Sequence, residues 1–220
     1  MATARGEPAS VARMDNEDDP IGQAAVALWD AEAAAFDDPP DHGLRDPAVR
    51  AAWRDLLLSL LPPAPARVAD LGCGTGSLAL LLAEEGYAVD GVDLSPQMIL
   101  RAEAKAGHVA TFTRGDAWQV PLEAEHYDVV LCRHVLWALP DATEAVRRWD
   151  RLLRPGGTMV LVEGSWSTGA GLTGAQTLDA VTAAGRRGEL LPLPDPALWG
   201  RAIDDERYAV TSSSRVASAG

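Results

Sequence analysis

The period of apolar positions changes repeatedly along this chain, and each change marks an element. Over residues 22–36, Val26, Trp29, Ala33 and Phe36 recur at helical spacing and form one stripe, which Pro39-Pro40 ends. Asp46-Pro47 supplies an N-cap and a first-turn proline for a second helix. Its Val49, Trp53, Leu56, Leu57 and Leu60 line one face up to Pro62-Pro63. Beyond that point short apolar runs alternate with helical stretches. The runs at 67–71, 88–93, 108–113, 127–132 and 158–163 read as strands, and 76–85, 96–106 and 142–153 as helices. Ser95-Pro96 caps one of these helices, and Asp141 with Glu144 resembles a capping box at another. A further helix over 174–184 precedes short strands near 189–193 and 207–212. Such alternation demands a parallel sheet with crossover helices. No internal repeat interrupts it.

Length and composition narrow the picture. At 220 residues the chain suits one domain with a full core. Residues 1–20 are small, polar and acidic and read as a disordered leader, with Met14 an alternative start. Residues 21–62 read as a helical N-terminal segment, 63–213 as the α/β core and 214–220 as a flexible tail. A formal charge of −13 repels polyanions and leaves no basic stripe, which disfavours a nucleic-acid partner. Its plain consequence is solubility. The only cysteines, Cys73 and Cys132, make no disulfide framework and are expected as free thiols. The sequence offers neither a signal peptide nor an apolar run of membrane-spanning length, so no membrane partner is expected and the location expected by default is cytoplasmic. Lys105 is the only lysine; the arginine, alanine, glycine and proline excess suggests a GC-rich, bacterial coding source.

The most informative motif is Asp70-Leu71-Gly72-Cys73-Gly74-Thr75-Gly76, placed between the first strand and a helix, with Asp93 following 17 residues after the last glycine. Glycines this close together permit positive φ and let a ligand lie against the backbone. An acid ending the next strand can then accept hydrogen bonds from ribose hydroxyls. A dinucleotide fingerprint would need its third glycine where Ser77 stands, so the register favours a different nucleoside-bearing cofactor.

These residues resemble the class I S-adenosylmethionine-dependent methyltransferases. The resemblance continues through Gly91-Val92-Asp93-Leu94-Ser95-Pro96-Gln97-Met98, Arg114-Gly115-Asp116, Tyr127-Asp128-Val129-Val130 and Leu152-Leu153-Arg154-Pro155-Gly156-Gly157, over roughly residues 65–165. In order and spacing they are similar to the small-molecule branch of that family. The resemblance implies a Rossmann-like fold: a mostly parallel seven-stranded sheet with an antiparallel final strand, helices on both faces and a helical cap over the site before the cofactor loop. It also implies S-adenosylmethionine as cofactor and S-adenosylhomocysteine as product.

Ligands of open α/β sheets sit beyond the carboxyl ends of the strands, and the candidate residues lie there. Gly72, Cys73, Gly74 and Gly76 would admit the methionine portion, and Asp70 would orient its amino end or anchor loop amides. Asp93 would be the ribose ligand, its alternative being a helix cap. Leu94 and Met98 would pack on the adenine or serve the core. The family pattern places the Asp116 carboxylate at the adenine amino group and the Ala117 amide at a ring nitrogen, with Trp118 stacking there or merely packing. Arg133 would lend its carbonyl to the cofactor's amino group. His134 is the first candidate for a general base and His42 the second, each with a pocket-shaping alternative. His108 and His126 precede strands and read as structural.

Trp29, Phe36, Trp137, Trp166 and Trp199 fall in the segments outside the cofactor motifs and are candidates to wall a substrate pocket. No metal site is expected, because histidines and cysteines are not closely spaced. The acidic pairs Asp18-Asp19, Asp37-Asp38 and Asp204-Asp205 read as solvated loops. Methyl transfer from a sulfonium requires alignment more than a base. The expected activity is therefore methylation of an oxygen or nitrogen of a small metabolite, such as a bacterial natural product. Alternatives are C-methylation of a quinone-like or terpenoid substrate, a non-catalytic cofactor-binding regulator, and a nucleotide-dependent oxidoreductase. The last is disfavoured by the glycine register. Oligomeric state stays open.

Overall fold

The computed structural model describes residues 20–213; the expected leader, except Pro20, and the expected tail lie outside them. Three helices come first: α1 (Pro20–Glu32), α2 (Pro40–Gly43) and α3 (Pro47–Leu60). Then follow β1 (Arg67–Leu71), α4 (Ser77–Glu84), β2 (Ala88–Asp93), α5 (Pro96–Ala106), β3 (Thr111–Arg114) and β4 (Tyr127–Arg133). The chain continues through α6 (Ala142–Asp150), β5 (Leu153–Ser165), α7 (Gly174–Ala183), β6 (Arg187–Pro192), α8 (Pro196–Trp199) and β7 (Glu206–Ser213). The seven strands form one sheet in the order β3-β2-β1-β4-β5-β7-β6. Only β7 runs against the rest, pairing antiparallel with both β5 and β6. Apolar clusters cover both faces of the sheet.

Several elements begin where capping chemistry puts them. The Asp46 carboxylate accepts from the amides of Ala48 and Val49, with Pro47 as the first helical residue of α3. Ser95 does the same for Met98 ahead of Pro96 in α5. At α6, Asp141 accepts from the Glu144 amide, but the reciprocal arm of the expected capping box is not formed. A complete box occurs instead at α7, between Thr173 and Gln176.

Some expected boundaries shift. The β3 strand starts at Thr111 rather than 108, because the amides of Val109 and Ala110 turn back onto the Ala106 carbonyl. The α6 helix stops at Asp150, since Leu153 already pairs with Tyr127, and β5 is correspondingly longer than expected. The expected two-helix cap also divides. Helix α3 lies in the body of the fold, with Val49, Trp53 and Leu57 buried and the Trp53 indole nitrogen donating to the Leu198 carbonyl at 2.6 Å. Only α1, α2 and the segment between them border the site.

In the sheet, β1 and β4 are neighbours from which the order grows outward in opposite directions. Their following loops diverge and open a crevice at the carboxyl ends.

Candidate active site

The crevice is a cavity of about 800 Å³. The loop after β1 forms its floor. The amides of Gly72 and Cys73 both donate to the Val92 carbonyl, at 2.8 and 3.0 Å, which ties the loop to the end of β2. Gly72 has φ 74°, and a Cβ there would stand 2.2 Å from a Val135 methyl. Only glycine lets the loops after β1 and β4 approach so closely. Gly74 and Gly76 do not line the cavity; their missing side chains make room for the Phe36 ring and for Phe112 and Ala102. Cys73 and Cys132 are both buried free thiols, pushed well above their ordinary pKa by burial.

Three carboxylates stand at the strand ends. Asp70 is 2% exposed, lines the cavity, and its Oδ2 has no hydrogen-bond partner. Burial raises its pKa to about 7; the Asp93 charge adds to the rise and Arg133 opposes it. Asp93 accepts from the Gly74 amide through Oδ2 at 2.8 Å and from the Ser95 amide through Oδ1 at 2.9 Å. Burial raises its pKa as well, against those two amides. Asp116 accepts from the Trp118 amide at 2.7 Å, and the Arg148 guanidinium covers the Trp118 ring at 4.0 Å. Leu94, Met98, Ala117 and Trp118 also border the cavity, Met98 being 1% exposed.

The segment after β4 enters the cavity directly. His134 has φ 60° and is held there by its amide donating to the Val162 carbonyl at 2.9 Å. Beneath it, Glu163 is wholly buried on β5, and its Oε1 accepts from the amides of Val135 at 3.0 Å and Leu136 at 2.7 Å. Burial raises the Glu163 pKa to about 8, against those amides. Sequence reading passed over Glu163. Its one signal was an acid within the apolar run 158–164 of a central strand, where a charge must find partners. Burial and the neighbouring Arg133 charge hold the His134 pKa well below its ordinary value.

With this geometry in view, residues 69–161 match the family described as a methyltransferase domain. A trans-aconitate 2-methyltransferase of Streptomyces avermitilis is 36% identical over 146 residues, which are 62% of this chain and 51% of that protein. An S-adenosylmethionine-dependent methyltransferase structure from Mesorhizobium loti superposes with TM-score 0.61 at 22% identity, covering 73% of this chain and 96% of that one. Residues 69–161 thus carry the match to a methyltransferase domain, and the chain has the fold of S-adenosylmethionine-dependent methyltransferases. The (4+2)-cyclase SpnF has the same fold, at TM-score 0.66 and 20% identity over 75% of this chain and 81% of its own. The chain spans about half the length of the curated relatives it matches first.

In this chain the N-terminal segment closes the cavity through three aspartates. Asp30 accepts from the Ser95 hydroxyl at 2.5 Å and from the Gln97 amide at 3.1 Å. Asp37 accepts from the Thr75 hydroxyl and pairs with Lys105 at 2.7 Å, and Lys105 also donates to Thr75 and Ser77. Asp41 pairs with the Arg133 guanidinium at 3.1 Å. The expectation of a solvated Asp37-Asp38 pair is therefore corrected: Asp37 is locked to the body and Asp38 alone is exposed. Asp205 is likewise not solvated, its side chain being 11% exposed and 2.8 Å from Arg207. Asp18-Asp19 lies outside the described residues.

Of the aromatic candidates, Trp29, Phe36, Trp137 and Trp166 line the cavity. Trp199 does not. It is 2% exposed, donates to the Leu193 carbonyl and meets Trp53 edge-on at 5.5 Å, so it belongs to the core behind the site. His42 lines the cavity, stacked on Phe36 at 4.7 Å and 3.6 Å from Asp41. Burial and Arg133 lower its pKa. His126 stands by Glu123, away from the cavity. Among the described residues no three His, Cys, Asp or Glu side chains are grouped to hold a metal, and no helix is long and apolar enough to cross a membrane.

Proposed function

We propose that this chain transfers a methyl group from S-adenosylmethionine to an oxygen or nitrogen of a small acceptor held in the same cavity. The observation that carries the reading is Asp70: a buried carboxylate facing the cavity with an oxygen that no protein group satisfies. Such a group calls for a cationic donor, and an α-ammonium is one. Asp93 would take the ribose and the Asp116 carboxylate the adenine amino group, beside the Ala117 amide; the Arg133 carbonyl would face the cofactor's amino end. When bound, the cofactor supplies an electrophilic methyl on a sulfonium, which departs as a neutral thioether.

The chain's own residues enclose and align. His134 is kept neutral and only weakly basic, so its part is to orient the acceptor's hydroxyl or amine rather than to strip its proton outright. The Streptomyces relative is named for trans-aconitate, a small acid, which supports a small acceptor. The shared fold of a named cyclase means that transfer itself has to be measured.

Calorimetric titration with S-adenosylmethionine, S-adenosylhomocysteine and NAD tests the reading. The first two should bind saturably and NAD should not. Asp93→Ala should weaken S-adenosylhomocysteine by about 10- to 100-fold, on the order of 1.5–3 kcal/mol for bonds to a charged acceptor. Binding of NAD instead, or an unchanged affinity in the variant, would sink it.

A further inference from the structure

The cavity is chemically divided by the order of the strands. Asp70 lies near the end of β1, Asp93 ends β2 and Asp116 follows β3, on one side of the crevice. On the other side, the antiparallel pairing of β7 sets Arg207 opposite Gly164, so the start of β7 stands at the same edge as the end of β5. There the Arg207 guanidinium lies 5.2 Å from the Trp166 ring and 5.3 Å from the Trp199 ring, with its side chain 6% exposed. It lines the cavity, yet its Nε and Nη1 have no hydrogen-bond acceptor; Asp205 stands 2.8 Å from Nη1 in an arrangement unsuited to a hydrogen bond. Arg201, exposed at the rim, lines the same cavity and forms no ion pair with a described residue. Arg133, by contrast, is committed to Asp41 and stacked on Trp53 at 4.4 Å.

A buried guanidinium with unspent donors needs a reason. In a chain of net charge −13, the convergence of arginines at one end of one cavity sets that end apart from the acidic strand-end side. Asp41 pairs with Arg133, which Asp70 also attracts, and Asp205 stands beside Arg207, while Arg201 has no such carboxylate among the described residues. Trp137 and Trp166, 5.7 Å apart, add an apolar wall beside it. We infer that the acceptor carries a carboxylate, which seats on Arg207 with Arg201 at the rim while its apolar body lies against Trp137 and Trp166. The guanidinium fork suits a carboxylate in two parallel hydrogen bonds, and the flanking rings hold the fork in place. Because it names the acceptor, this inference rests on the methyl-transfer reading.

The test uses the full chain saturated with S-adenosylhomocysteine and two probes of one shape, 3-phenylpropanoate and its neutral amide, 3-phenylpropanamide. Calorimetry should give the acid at least a tenfold advantage. Arg207→Gln should erase that advantage while S-adenosylhomocysteine binds within twofold of wild type. Arg201→Gln, at an exposed position that leaves folding intact, should reduce it severalfold. Equal binding of acid and amide, an acid preference indifferent to both substitutions, or loss of S-adenosylhomocysteine in Arg207→Gln would each overturn the inference; the last would assign Arg207 to the cofactor. If wild type fails to bind S-adenosylhomocysteine, the methyl-transfer reading falls instead, and the acid–amide comparison on the protein alone still decides whether the anion site exists.

Discussion

Glu163 is a fully buried acid that serves the site without entering it. Its Oε1 gathers the amides of Val135 and Leu136, the residues that follow the left-handed His134, while Oε2 has no partner. Burial penalises its charge more than the backbone amides favour it, hence its pKa of about 8 against an ordinary 4.5. The linkage has a definite sign. Between pH 4.5 and 8 the folded state holds a proton that the unfolded chain has lost, so this group's stabilisation is full below about 4.5 and lost as pH rises through about 8. Glu163→Gln keeps the acceptor oxygen and cannot ionise. Its stability relative to wild type, followed by urea unfolding from pH 5 to 8.5, should therefore improve steadily with pH. Parallel profiles would refute a protonated Glu163. Asp70, raised to about 7, contributes a similar slope to both proteins and cancels in the comparison.

The segment joining α1 to α3 is tied to the body by polar links as well as by the buried Leu44, and Lys105 is the centre of one of those links. Its ammonium, lowered in pKa by burial against the pull of Asp37, ties that aspartate to Thr75 and Ser77 beside the glycine loop. Burial alone would raise Asp37, but the bonds from Lys105 and Thr75 outweigh it and leave it lowered. Lys105→Met leaves the half-buried Asp37 carboxylate to Thr75 and to Arg45 at 3.7 Å, at a cost of about 1–3 kcal/mol, whereas Asp37→Asn with Lys105→Met removes both charges. In a double-mutant cycle by urea unfolding the pair should cost clearly less than the two singles added; simple additivity would mean no coupling. Sequence patterns located the elements that carry such links wherever local chemistry decides them. The starts of α3 and α5 were legible to the residue, because Asp46-Pro47 and Ser95-Pro96 cap their own helices. The strand-end acids Asp70, Asp93 and Asp116 were legible because position in the fold defines them. Helices α2 and α8 were not, since four residues carry no period. Nor were the roles of Trp199, Asp37 and Arg207. Each depends on partners far away in sequence: Trp53, Lys105 and Trp166.

Across the molecule, rigid and adjustable parts meet at the cavity. Strands β1, β4 and β5 form the centre of the sheet, wholly apolar and buried over Val129–Cys132 and Met159–Val162. The N-terminal wall contributes no strand and reaches the body through Asp30, Asp37 and Asp41. Elements held mainly by polar contacts at a surface open at lower free-energy cost than a core strand. A ligand that bridges the strand-end acids and this wall stabilises the closed state and suppresses those local openings. Hydrogen exchange, with and without S-adenosylhomocysteine, should therefore show the fastest structured amides between residues 22 and 43. Ligand should slow them together with the loop 72–76, while α7 and β6, on the far side of the sheet, exchange unchanged. Slowing spread evenly over the chain would mean that the ligand raises global stability alone. Slowing confined to 72–76 would mean that the N-terminal wall takes no part in holding it. The predicted pattern follows from the distribution of bonds: a core whose strands satisfy one another, and a wall whose anchors are three carboxylates facing Ser95, Lys105 and Arg133.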